Sequence, residues 1–134
     1  LPAVKDSCVV VSPIVPMVKT DVGFEFIPIK EKKPFSYQLV LKYMRNKSKL
    51  VSAFHVISEK KLVNPTMVLD YDIFVCGDDK EAIEIVNSLI NEIKGLRPIY
   101  LGPGELSYLA EISTPLLLNA MIRNKIKNPG IKII

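Results

Sequence analysis

Tyr71-Asp72-Ile73-Phe74-Val75-Cys76-Gly77 is a mostly apolar, β-favouring run that ends on glycine and leads directly into Asp78-Asp79. Such a run reads as a strand buried on both faces. After it the period changes: Ala82, Ile83, Val86, Leu89, Ile90 and Ile93 recur at helical spacing, with Glu81, Glu84, Asn91 and Glu92 off the stripe. A helix capped by the two aspartates is therefore expected to lay one face on a sheet. Gly95 is its natural stop, and Leu96 to Leu101 makes the next strand. Residues 71–101 form a β-α-β unit of about 30 residues, and the class follows as α/β with a parallel sheet.

Upstream, Val51-Ser52-Ala53-Phe54-His55-Val56-Ile57 closes a second buried strand, from Lys49 to His55, and carries the sole histidine of the chain at its end. Ser58 to Val63 suggests a short helix capped by Ser58 and ended by Asn64-Pro65. Ser36 offers a cap for a helix bearing Leu39, Val40, Tyr43 and Met44 up to about Arg45. Between Lys19 and Lys33 the pattern is irregular, with Phe24, Phe26, Ile27 and Ile29 suggesting a short edge strand or an ordered excursion. Asp6 to Ser12 is the first strand, and Ser12-Pro13-Ile14-Val15-Pro16 stops it with an extended loop of fixed shape. Loops at the carboxyl ends of strands are where open α/β sheets hold ligands; the prolines could equally serve only to end the strand.

Downstream, Gly102-Pro103-Gly104 precedes a helix from about Glu105 to Arg123 that is apolar on nearly every side. A helix of that kind is expected to be buried all round, against another domain or a second subunit. Pro115 within it frees the carbonyl of Glu111 and is expected to kink it beside Ser113 and Thr114. Asn128-Pro129-Gly130 turns the chain into a last short strand, Ile131 to Ile134.

The totals bound the function classes. A chain of 134 residues with 49% hydrophobic and 24% charged residues is a globular domain with a core. The net charge of +4 is spread among glutamates, and without Trp and with few Arg there is no stacking or basic stripe for nucleic acid. A phosphorylated cofactor suits this charge equally well. Cys8 and Cys76 lie in apolar runs, where a thiol behaves as a small buried hydrophobe, and with one histidine they make no metal site of recognisable spacing. Ile112 to Ile122 is too short to span a membrane. A cytoplasmic location is expected. The chain opens Leu-Pro-Ala-Val-Lys without an initiating Met, which is what the later part of a longer protein would show.

Catalytic motifs are weak. Gly102-x-Gly104 lacks the third glycine of a dinucleotide fingerprint, has Ser107 in its place and a proline between, and reads better as a turn. Asp78-Asp79 reads better as a helix cap than as a carboxylate pair. His55 could pair with Ser52, Ser113 or Cys76, but no nucleophile elbow accompanies it. As a lone histidine it is either a satisfied core residue or a ligand contact, and its place at a strand end keeps the second reading open. For Ser12 and Ser113 the competing reading is local backbone hydrogen bonding.

Val-Val-Val-Ser-Pro-Ile-Val-Pro (9–16), Val-Ser-Ala-Phe-His (51–55), Val-Cys-Gly-Asp-Asp (75–79), Gly-Leu-Arg-Pro (95–98) and Ser-Thr-Pro-Leu-Leu-Leu-Asn (113–119), in this order, closely resemble the deazaflavin-dependent NADP reductase family. The resemblance implies the later part of a Rossmann-like doubly wound sheet, residues 1–33 ending the dinucleotide-binding fold and residues 34–134 forming a smaller α/β deazaflavin-side domain. It implies hydride transfer between the reduced deazaflavin coenzyme factor 420 and the nicotinamide of NADP, an archaeal-type reaction in which the cofactors carry the chemistry and no catalytic acid, base or nucleophile is needed. By position, the resemblance places Ser12, Pro13, Pro16 and Met17 beside the nicotinamide, and Ile57 and Glu59 at its carboxamide. It places His55 against the deazaflavin, with Ser113 and Pro129 flanking the same ring. Phe54, Glu59 and Pro129 depart from the side chains of that family. It also implies paired subunits, with the apolar last helix as the contact.

The Gly-rich turn that binds NADP phosphates at the start of such proteins is not in these residues. Either that first half was lost from this chain, it is present on a separate chain, or this is a reduced relative that no longer binds NADP. Two other readings stay open: a non-catalytic α/β binding or dimerisation module, and a related NADP-dependent reductase with another electron partner.

Overall fold

The computed structural model describes residues 3–56 and 69–134. In chain order the elements are β1 (Val10–Ser12), β2 (Met17–Thr20), β3 (Gly23–Phe26), α1 (Ile27–Lys30), α2 (Ser36–Lys42), β4 (Leu50–Ser52), β5 (Tyr71–Gly77), α3 (Lys80–Glu92), β6 (Leu96–Gly102) and α4 (Ser107–Asn124). The expected short helix at Ser58 to Val63 lies outside the described residues.

The β-α-β unit forms as its pattern dictates. β5 and β6 pair in parallel from Tyr71 opposite Leu96 onwards. Asp79 caps α3, its Oδ2 accepting the Ala82 N–H at 2.9 Å and the Lys49 ammonium at 3.1 Å. Ala82, Val86 and Ile90 turn inward onto Val51, Ala53, Ile73 and Val75, all fully buried. The opposite face of the sheet is closed by Tyr37, Met44 and Leu50 with Val40 and Leu41 of α2 packed against them. Leu50 and Val51 are adjacent, so their side chains leave the pleat on opposite sides and enter different cores. Helices thus cover both faces.

The main sheet has the order β1-β4-β5-β6. β1 runs parallel to β4, with Ser12 opposite Ser52, but β4 meets β5 antiparallel, with Val51 opposite Gly77 and Ser52 opposite Cys76. The expectation of a parallel sheet is therefore corrected at one junction. A continuous apolar run signals burial on both faces and carries no sign of the neighbour's direction. One consequence governs the site: β1 and β4 run against β5 and stop beside Cys76, near its carboxyl end, so the chain after Ser52 heads back along β5 toward Tyr71.

Several local expectations shift. β1 and β4 are three residues each, shorter than Asp6 to Ser12 and Lys49 to His55. Cys8 falls before β1 and is exposed, whereas Cys76 is buried. The irregular stretch from Lys19 is an antiparallel hairpin, β2 with β3, tied to α4 by Asn119. The Asn119 side chain accepts the Phe24 N–H at 2.9 Å and donates to the Phe24 carbonyl at 2.7 Å, as a neighbouring strand would. Ser36 does not cap α2; it is the first helical residue, and the carboxylate of Glu111 on α4 takes the capping role.

α4 is not buried all round. Ser107, Ala110, Glu111, Ser113 and Pro115 are buried, while Leu109, Leu116 and Ile122 are exposed. Apolar residues on every side cannot all face one sheet. The last residues form no strand; a tail from Asn128 to Ile133 is held instead by side chains of β5 and β6.

Candidate functional site

Parallel pairing of β1 with β4 brings Ser12 and the segment after Ser52 to one sheet edge, where the Ser12 carbonyl accepts the Ala53 N–H at 3.3 Å. β4 then leaves the sheet. Phe54 has φ of 66°, a left-handed backbone that a bulky side chain adopts only when its surroundings impose it. That turn delivers His55, which is 7% exposed.

Neither ring nitrogen of His55 has a hydrogen-bond partner among the described residues, and the same holds for the hydroxyl of Ser12, itself buried. Buried polar groups are nearly always paired, so two such residues on adjoining strand ends stand out. Desolvation lowers the His55 pKa to about 4. The ring is therefore neutral at pH 7, with one N–H to donate and one nitrogen to accept. Such a cradle matches an uncharged planar amide or imide heterocycle better than a phosphate, because Ser12 and the neutral His55 bring no positive charge to it.

α4 closes this edge. The hydroxyl of Thr114 donates to the carbonyl of His55, so the helix grips the loop beside Pro115. Sequence reading singled out Ser113 and missed the contact made by Thr114, its neighbour at the proline. The Ser113 hydroxyl donates to the Ala110 carbonyl of its own helix, the local bonding weighed against a ligand role. Pro13 is exposed, Pro16 accepts the Ile27 N–H at 2.9 Å, and Met17 opens β2 opposite Phe26, so these three lead from the cradle into the hairpin. Pro129 lies on the tail, next to Asn128, whose carbonyl accepts the Tyr71 hydroxyl at 3.0 Å. Ile57 and Glu59 lie outside the described residues.

The turn after β6 is occupied by its own structure. The Gly104 N–H donates to Asp78 at 3.0 Å, and a Cβ there would meet the Tyr37 ring at 2.0 Å, so Gly102-Pro103-Gly104 is a packed turn whose Gly104 amide is already taken by a carboxylate. Among the described residues, no group of three or more His, Cys, Asp or Glu could hold a metal ion, and no helix is long and apolar enough to cross a membrane.

No protein-family model matches the chain. The F420-dependent NADP reductase of Methanocaldococcus jannaschii is 43% identical over 86 residues, covering 64% of this chain and 39% of that protein. Those of Methanothermobacter thermautotrophicus and Methanothermobacter marburgensis are 36% and 35% identical over the same length, covering 37% and 38% of each. The matched stretch is thus well under half of each relative. A crystal structure from Arthrobacter sp. FB24, of a protein provisionally described as an F420-dependent NADP reductase, superposes with a TM-score of 0.75 over 92% of this chain and 56% of that one. At 19% identity this likeness establishes the Rossmann-like α/β fold.

Proposed function

We propose that this chain forms the deazaflavin-side part of an F420-dependent NADP reductase, with Ser12 and His55 facing the paired cofactor rings. The observation that carries the reading is the pair of buried polar residues, unpartnered among the described residues, at the carboxyl end of β1 and in the turn after β4. The sequence likeness to the archaeal reductases supports it.

When bound, a deazaflavin and a nicotinamide supply the hydride donor and acceptor. The chain's own part is positional. The neutral His55 donates or accepts one hydrogen bond to a ring heteroatom, and the Ser12 hydroxyl does the same from the neighbouring strand. Thr114 fixes the His55 backbone. No side chain is required to accept or deliver a proton. In this reading Pro13, Pro16 and Met17 border the nicotinamide, Ile57 and Glu59 its carboxamide, and Ser113 and Pro129 the deazaflavin.

A second copy of the chain is the partner this reading includes. A groove of about 440 Å³ between the hairpin and α4 is lined by Phe24, Phe26, Ile29, Ile112, Pro115 and Leu116, and Ile29 and Leu116 are 68% and 62% exposed. Replacing Leu116 with Glu is expected to convert a dimer to monomer in a sedimentation experiment.

The test of the site is titration of the full-length protein with F420, followed by flavin-type fluorescence, in the parent and in His55→Ala. Binding weakened by about tenfold or more, as for a lost buried hydrogen bond, supports the reading. Unchanged F420 binding with lost NADP turnover would favour a reductase with another electron partner, and no F420 binding by the parent would favour a non-catalytic module.

A further inference from the structure

The tail from Asn128 to Ile133 occupies the lane that β4 vacates. In β5 the Tyr71 N–H bonds the Gly95 carbonyl on the β6 side, so the next N–H, that of Asp72, must point the other way, toward β4. It meets the carbonyl of Ile131 at 2.6 Å. β4 pairs with β5 at Cys76 and Gly77 and leaves the sheet by Ala53, so the tail, bonded at Asp72, takes the same side of β5 four residues before Cys76.

The tail is clasped there by two side chains. Asp72, fully buried, takes both nitrogens of a forked Arg97 contact, at 2.7 Å from Nε and 2.8 Å from Nη2. Its Oδ2 also accepts the Ile133 N–H at 2.6 Å, while Arg97 donates to the Ile133 carbonyl at 2.7 Å. One residue of the tail is thus held through both its backbone groups. Lys132 pairs with Asp70 at 2.9 Å, and Gly130 lies so close to the Tyr71 ring that a Cβ would come within 1.9 Å of it.

We infer that Asp72 and Arg97 are positioning residues: they lock the carboxyl-terminal tail into the vacant strand lane as a strap, and the strap walls the pocket of His55. The functional weight of this rests on His55 being the ligand-facing residue proposed above. The bracing itself needs no ligand to be tested.

The test is the NMR titration of His55, whose ring signals are unambiguous because the chain has one histidine. In the parent protein the midpoint is expected near 4. Removal of Ile131 to Ile134 should open the pocket and raise the midpoint by at least ~1 unit toward the ordinary histidine value. Ile133→Pro, which removes the N–H donated to Asp72 while keeping the length of the tail, serves if the truncated chain does not fold, and should shift the midpoint in the same direction. Arg97→Lys keeps the charge without the fork and should give a smaller rise. A midpoint unchanged in whichever of these folds, with the tail removed or its Ile133 N–H deleted, overturns the inference. Failure of the parent to bind F420 would overturn the ligand reading and leave the titration result standing.

Discussion

The carboxylate of Glu111, in the second turn of α4, accepts the backbone N–H of Ser36 at 2.7 Å, and its second oxygen accepts that of Tyr37 at 3.0 Å. A fully buried acid on one helix thereby caps the amino end of another, and α2 needs no capping side chain of its own.

Replacing Glu111 with Ala should leave two buried amides unpaired and destabilise the fold by about 2–4 kcal/mol, from the usual penalty per orphaned group. Glu111→Gln should cost nearly as much, because its NH₂ would face one of the donors. Urea unfolding measures both. Desolvation raises the Glu111 pKa against the opposing pull of the two amides. A raised folded value means a contribution to stability that is complete below the ordinary carboxylate pKa and lost as pH rises through the folded one. In Glu111→Gln that decline on the alkaline side of the ordinary value should vanish.

His55 sets the opposite slope. Its folded pKa lies at about 4 against an ordinary 6.5, so the unfolded chain takes up the proton first. Its contribution is complete above pH 6.5 and is lost as pH falls toward and through 4. The span corresponds to roughly 3 kcal/mol. In His55→Phe, stability between pH 7 and pH 4 should fall less steeply than in the parent, measured by denaturant midpoints at each pH.

Asn119 bonds both backbone groups of Phe24 and also accepts from Arg123 at 3.2 Å. Asn119→Ala should release the hairpin from α4. Hydrogen exchange at the Phe24 amide should accelerate at least tenfold, while protection in β5 and α3 stays as it was. Loss of stability by about 1–3 kcal/mol is expected.

Local periodicity and punctuation determined what lies within one segment. The strand at Tyr71–Gly77, the stripe on α3, its Asp79 cap and the left-handed Gly95 after it, with φ of 90°, all follow from residues a few positions apart. Strand patterning also put Ser12 at the end of β1, whereas His55 falls three residues beyond β4. Tertiary structure alone decided how the segments meet. The antiparallel turn of β4 against β5, the capping of α2 from Glu111, the grip of Thr114 on His55 and the clasp of Asp72 and Arg97 on the tail join residues distant in the chain. Hydrophobic spacing reports which face of an element is buried, but a buried strand reads the same in either direction. A polar group's partner, likewise, is chosen by the packing that leaves it no water.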